Sequence, residues 1–134
     1  MGRKSITCVW PLRATQQMTR TVVIKLGTSS IIDEARLQPK IGTLAAVVET
    51  VAQLRRDGHR VVLVSSGAIG VGRMHTGKRA RPQRVEERQA LAALGQARLA
   101  SLWDSLFATV GLVTAQVLLT RGDLADVRVH PGVR

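Results

Sequence analysis

An α/β fold with a mainly parallel sheet is the class this sequence predicts, on three observations. Short runs rich in β-branched residues, Thr21–Leu26, Val61–Val64 and Leu112–Leu119, read as strands. Longer stretches with apolar residues three to five apart separate them and read as helices. The resulting order β, α, β, α, α, β calls for strands that run in one direction, joined by right-handed crossovers, with helices covering the sheet.

Residues 1–20 show no sustained period and read as a leader without regular structure. No acid precedes Asp33, whereas Arg3, Lys4, Arg13, Arg20 and Lys25 all do. An organellar transit peptide is compatible with that start, but Trp10 and Pro11 interrupt it and serines are few. Thr21–Leu26 has the continuous apolar character of a strand buried on both faces. Between Pro39 and Asp57, Ile41, Leu44, Ala45, Val48, Val51, Ala52 and Leu54 fall mostly on one helical stripe, which Gly58 stops after the basic pair Arg55 and Arg56. Val61–Val64 is a second buried strand, ending at Ser65 and Ser66, and "GAIGVGRM" opens a helix or turn. From Glu86 to Phe107 the residues Leu91, Leu94, Leu99, Leu102, Trp103 and Leu106 predict a long helix in which Gly95 allows a bend and which Gly111 ends. Leu112–Leu119 is the third strand and leads into "TRGDLAD".

A chain of 134 residues with 45% hydrophobic content buries one core, so we expect one domain or part of one. Trp10, Trp103 and Phe107 are its only aromatic residues, so the core must be aliphatic, and a nucleic-acid module built on stacking platforms is disfavoured. The single Cys8 allows no internal disulfide and suits a reducing, cytoplasmic setting. His59, His75 and His130 are not spaced as ligands from one element, and no metal ligand set is identified. No apolar run approaches the roughly 18 residues of a membrane span, so no membrane association is expected. The net charge of +11 is concentrated in the first 25 residues and in "GRMHTGKRARPQR", Gly72–Arg84. Gly77 and Pro82 mark the latter as a solvated basic loop beside a site for anionic ligands.

In an open parallel sheet ligands bind beyond the carboxyl ends of the strands. The exits are Lys25-Leu26-Gly27-Thr28-Ser29, Ser65-Ser66-Gly67-Ala68 and Thr120-Arg121-Gly122-Asp123. Gly27 and Gly67 let a ligand approach the backbone, and successive amide N–H groups there form a nest for an anion, most naturally a phosphate. Lys25 brings a compact positive charge of the kind that stabilises a phosphoryl group in transfer. Each residue also has a structural alternative. The lysine stem can cover apolar surface with its ammonium in water, Ser65 and Ser66 can cap the following helix, and Thr28, Ser29 and Ser30 can form a turn. The P-loop pattern is absent, and "GAIGVG" has its glycines in the wrong order for the dinucleotide fingerprint.

The segments "VVIKLGTSS", "GHRVVLVSSGAIGVG", "QALAALGQARLASLWDSLF" and "AQVLLTRGDLAD" together resemble the glutamate 5-kinase family of the amino-acid kinase superfamily, and "GTSSIIDEARLQPKIGTLAAVVETVAQLRRDGH" looks closest to its fungal type. The resemblance covers residues 21–126, read as the N-terminal part of the kinase domain, with 1–20 as leader and 127–134, "VRVHPGVR", as a divergent tail. It implies a three-layer α/β/α sandwich with a mainly parallel sheet, here truncated. It implies ATP-dependent phosphorylation of the L-glutamate side-chain carboxylate, with Mg²⁺ assisting, in proline biosynthesis. By position, Lys25 matches the catalytic lysine on the ATP phosphates, and Gly27 and Thr28 match the phosphate-side loop. Ser66 matches the glutamate-binding serine, followed by Gly67 and Ala68 in the substrate loop. The family's further glutamate-holding acidic and asparagine residues, its adenine segment and a second lysine are not found, so this chain is not expected to turn over by itself. The alternatives are a non-catalytic fragment acting as an interaction module, as a homo-oligomer or with full-length subunits, and a sibling kinase for acetylglutamate or aspartate.

Overall fold

Two strands set the frame. Thr21–Leu26 (β2) and Arg60–Ser65 (β5) pair in parallel, with Val22 opposite Val61, Ile24 opposite Leu63 and Leu26 opposite Ser65. The computed structural model describes residues 4–9, 19–120 and 122–123, with side chains from residue 19 onward. The tail 127–134 and most of the leader lie outside the described residues.

Around this pair the elements follow in chain order. Lys4–Val9 is β1, Thr28–Ile31 a one-turn helix α1, and Ile32–Asp33 and Gln38–Pro39 a small hairpin, β3 and β4. Ile41–Arg56 is α2, Ala68–Thr76 α3, Val85–Ala108 α4 and Thr114–Leu119 β6. The main sheet has the order β2-β5-β1-β6. β1 is antiparallel to both β5 and β6, so β2, β5 and β6 share one direction, as the strand order predicts.

The placement of β1 departs from the expectation of a leader without regular structure. Its six residues bridge β5 and β6, with Ser5 opposite Ser65 and Lys4 opposite Leu119. Each backbone group of a strand in that position finds a partner on one side or the other, a long-range gain that no local period reveals.

Hydrophobic burial is concentrated on one face of the sheet. Val61 and Leu63 from β5 pack with Ile31, Leu44, Val48, Val51, Val71, Leu99, Trp103 and Phe107, so all four helices contribute to a single cluster. Burying side chains such as Leu99, Trp103 and Phe107 stabilises the fold by about 1.5–3 kcal/mol each. The intervening residues Val62 and Val64 are half-buried, and Val23 is 62% exposed. The strands are therefore not covered on both faces by the described residues, which build two of the three layers expected. An apolar run of β-branched residues fits either environment, which is why the sequence did not distinguish them.

The helix ends follow local chemistry. α2 and α4 both stop in a Schellman arrangement: His59 N–H donates to Leu54 O at 2.9 Å and Gly58 N–H to Arg55 O at 3.1 Å, while Leu112 N–H donates to Phe107 O at 3.1 Å and Gly111 N–H to Ala108 O at 3.0 Å. Gly95 lies inside α4 and does not end it, the helix running on to Ala108. Its lack of a side chain serves packing instead: a Cβ there would fall 1.8 Å from Ala68 O, and one at Gly72 would fall 2.1 Å from Leu91 O. These two glycines bring the backbones of α3 and α4 into direct contact.

Gly95→Ala is expected to lose about 1–3 kcal/mol despite the better helix propensity of alanine, because backbone must move to admit the methyl group. Gly42→Ala, where a Cβ meets nothing within 4 Å, should gain about 0.4–1 kcal/mol. Denaturant midpoints at constant slope measure both; a neutral Gly95→Ala would contradict the close approach of the helices.

Candidate functional site

The carboxyl ends of β2 and β5 lie side by side. Ser66 N–H donates to Leu26 O at 3.0 Å, extending the ladder by one bond past β5 and fixing the two exits as neighbours. Beyond them the chain turns twice into helices, α1 after Gly27 and α3 after Gly67. The two turns also touch: a Cβ on Gly70 of α3 would stand 3.3 Å from Thr28 Cγ2 and 2.4 Å from Ile32 Cδ1.

Lys25 lies opposite Val64, out of phase with Ile24 and Leu26, which pack on the core. It is exposed, and no ion pair engages it among the described residues. Gly27 takes φ −81°, which any residue adopts, and a Cβ there would meet nothing within 4 Å, so the space above it is open. Thr28 is half-buried and begins α1, and Ser29 and Ser30 form its turn, with Ser30 N–H donating to Gly27 O at 3.1 Å.

At the second exit Gly67 is buried with φ +119° and stands at the N-terminus of α3, followed by half-buried Ala68. Neither Ser65 nor Ser66 caps that helix, contrary to the structural alternative considered for them; Gly67 occupies the cap position with no side-chain bond. Ser65 is instead buried at 1% exposure, accepts the indole N–H of Trp103 at 3.0 Å and donates to Ser66 O at 3.1 Å. Ser66 is half-buried at the turn. The third exit is separated from Ser66 by β1, about 10 Å away at two strand spacings. There Asp123 Oδ2 accepts from Thr120 N–H at 2.6 Å and from its hydroxyl at 2.7 Å, while Thr120 Oγ1 accepts from Asp123 N–H at 3.3 Å, a reciprocal cap that absorbs these polar groups locally. Arg121 lies outside the described residues.

The basic loop after α3 is held down rather than free. Arg73, 5% exposed, donates to Lys78 O at 3.2 Å and to Arg79 O, and its guanidinium lies 3.8 Å from Glu34. Arg81 reaches the same Glu34 carboxylate through Nη2 at 2.6 Å and Nε at 3.1 Å, and Lys78 pairs with Glu87. Glu34 thus ties the loop to the hairpin that follows α1. Arg73 and Glu34 do not stand out in the sequence, since nothing in their spacing signals a contact between segments so distant in the chain. Two further groups lie at the other end of the sheet. Arg55 donates to His59 O, and burial pushes its guanidinium below the ordinary arginine value.

No group of three His, Cys, Asp or Glu side chains able to hold a metal occurs among the described residues, and no helix there is long and apolar enough to cross a membrane.

A parallel pair of strands ending in two glycine turns, with an exposed lysine beside the first, defines a class of α/β domain, and comparison with known proteins identifies the family. Residues 20–133 match the Amino acid kinase family, and the chain belongs to that family. It is 54% identical over 109 residues to the glutamate 5-kinase of Synechococcus elongatus, covering 81% of this chain and 30% of that protein. It is 50% identical over 116 residues to the probable glutamate 5-kinase of Schizosaccharomyces pombe, covering 87% and 29%, and 50% identical over 109 residues to the glutamate 5-kinase of Microcystis aeruginosa. The chain spans about three tenths of the length of the curated relatives it matches. β1 precedes the residues matched to the family.

The two exit glycines should respond differently to substitution. Gly67→Ala has room for its methyl group, with the nearest atom at 3.6 Å, but imposes φ +119° on a residue with a Cβ and should cost about 1–3 kcal/mol. Gly27→Ala should cost under about 1 kcal/mol, the difference between glycine and alanine at a helix cap. Thermal unfolding of the two variants decides; equal losses would contradict the assigned backbone.

Proposed function

We propose that this chain supplies the phosphate-side and glutamate-side edges of a glutamate 5-kinase, which transfers the terminal phosphoryl group of ATP to the side-chain carboxylate of L-glutamate and forms L-glutamyl 5-phosphate, the first step of proline biosynthesis. The observation that carries this reading is the adjacency of the two exits, secured by the Ser66 to Leu26 bond, in a chain about half identical to glutamate 5-kinases. Lys25, Gly27 and Thr28 form the ATP phosphate edge. Ser66, Gly67 and Ala68 form the glutamate edge.

The chemistry suits these residue types. A carboxylate oxygen of glutamate attacks the terminal phosphorus as the bond from that phosphorus to the bridging oxygen breaks, leaving ADP. The nucleophile is already ionised, so no protein base is needed, and the work is alignment and charge neutralisation. The exposed ammonium of Lys25 meets the charge on the phosphoryl oxygens, and the open backbone at Gly27 admits those oxygens without a side chain in the way. Amide N–H groups at the Gly67 turn and the N-terminus of α3 face a carboxylate favourably. Mg²⁺ supplies charge neutralisation between the phosphates when bound. Among the described residues no group of three His, Cys, Asp or Glu side chains could hold this ion, and no protein ligand to it is proposed. The single cysteine and a biosynthetic reaction fit a cytoplasmic setting.

Amide shift titrations test the assignment directly. L-glutamate should move Ser66, Gly67 and Ala68, and Mg-ATP should move Lys25, Gly27 and Thr28. Lys25→Ala should weaken Mg-ATP roughly ten- to a hundredfold, as expected for loss of a hydrogen-bonded charge, with the glutamate response retained. Perturbation by acetylglutamate or aspartate in preference to glutamate would replace the substrate, and Mg-ATP shifts remote from Lys25 would overturn the site.

A further inference from the structure

The contact between Trp103 and Ser65 joins residues 38 positions apart, from the last third of α4 to the end of β5. Both are about 1% exposed. An indole N–H needs an acceptor when buried, and a serine hydroxyl can accept and donate at once. Here it does both: Trp103 Nε1–H donates to Ser65 Oγ at 3.0 Å, and Ser65 Oγ–H donates to Ser66 O at 3.1 Å. Two bonds in series polarise one another and tie the turn to the core. Trp103 is itself fixed by stacking on Phe107, with ring centroids 5.8 Å apart.

The consequence follows from peptide planarity. The Ser66 carbonyl belongs to the same rigid unit as the Gly67 N–H, and in a trans peptide the two point in opposite directions. Fixing the oxygen toward Ser65 and the core therefore aims the Gly67 N–H away from the core. That N–H finds no backbone acceptor among the described residues. Gly67, at φ +119°, is also a residue whose backbone would otherwise sample many orientations.

We propose that Trp103 is a positioning residue: through the Ser65 hydroxyl its indole N–H locks the Ser66–Gly67 peptide and presents the Gly67 amide to the carboxylate of the bound amino acid. The assignment of that ligand rests on the reading of this turn as the glutamate edge, whereas the lock itself does not.

The test uses the full chain with Trp103→Phe, Ser65→Ala, their double variant and Ser65→Thr, which keeps the hydroxyl. Amide exchange at Ser66, whose N–H is bonded to Leu26 O, is followed against Val51 in the buried face of α2 as a reference for global opening. Trp103→Phe and Ser65→Ala should each speed Ser66 exchange about tenfold relative to Val51, the double variant should add little to the larger single effect, and Ser65→Thr should stay within about threefold of the parent. The affinity for L-glutamate should fall in the same order and be restored by Ser65→Thr. Ser66 exchange that changes only in step with Val51, additive single effects, or unchanged glutamate affinity in variants that loosen Ser66 would overturn the proposal. If the parent chain takes up no L-glutamate, the assignment of the substrate edge fails, and the exchange pattern alone judges the lock. Should Ser65→Ala not fold, Trp103→Phe against Ser65→Thr carries the same comparison.

Discussion

The parallel ladder between β2 and β5 is the constraint on which the rest of the molecule depends. Its register sets Leu26 opposite Ser65, and one further bond, from Ser66 N–H to Leu26 O, keeps the chains together as they leave the sheet. From that edge each strand enters a helix through a glycine, so two sets of backbone amides arise within one strand spacing of each other. Slip β2 by one residue against β5 and Ile24 and Leu26 would leave the core while Lys25 would enter it. The same hydrophobic burial that stabilises the sheet therefore also decides which side chains stand at the exits.

Packing behind the sheet supports this edge by contacts of two kinds. Gly72 and Gly95 let α3 and α4 meet backbone to backbone, which fixes the origin of α3 and hence the Gly67 turn. Trp103 then reaches under the turn with a hydrogen bond that a purely aliphatic core could not offer. On the other flank, Glu34 gathers Arg73 and Arg81 and holds the basic loop against the hairpin after α1. Arg81 is largely exposed and adds little by itself, whereas Arg73 is buried and hydrogen-bonded, so its loss would take a donor from the carbonyls of Lys78 and Arg79 and leave Glu34 to Arg81 alone.

Much of this was legible in the sequence, and the parts that were not share a physical reason. The bounds of α2 came from a sustained apolar stripe ended by Gly58, and those of α4 from its leucine spacing and Gly111. The residues Lys25, Gly27, Thr28, Ser66, Gly67 and Ala68 stand at adjacent strand exits because strands of a parallel pair end on the same side, a rule that needs only strand order. What local pattern does not encode is pairing across the chain. β1 is six residues without a distinctive period, and its seat between β5 and β6 exists only once those strands are placed. Ser65 at a strand end looks the same whether it caps a helix or receives an indole, and its actual partner lies in a different helix. Lys25 and Val23 sit on a more open face than "TVVIK" suggests, since coverage of a sheet depends on which helices pack on it.

The central claim is that the β2 and β5 exits are neighbours on one edge of the sheet. Cross-strand nuclear Overhauser contacts in the isotope-labelled chain measure it most directly. Backbone contacts linking Leu26 and Gly27 with Ser66, together with the pattern of a parallel ladder from Val22–Val61 onward, are the predicted result. A pattern showing β2 and β5 antiparallel, or no contact between Leu26 and Ser66, would contradict the account at its root.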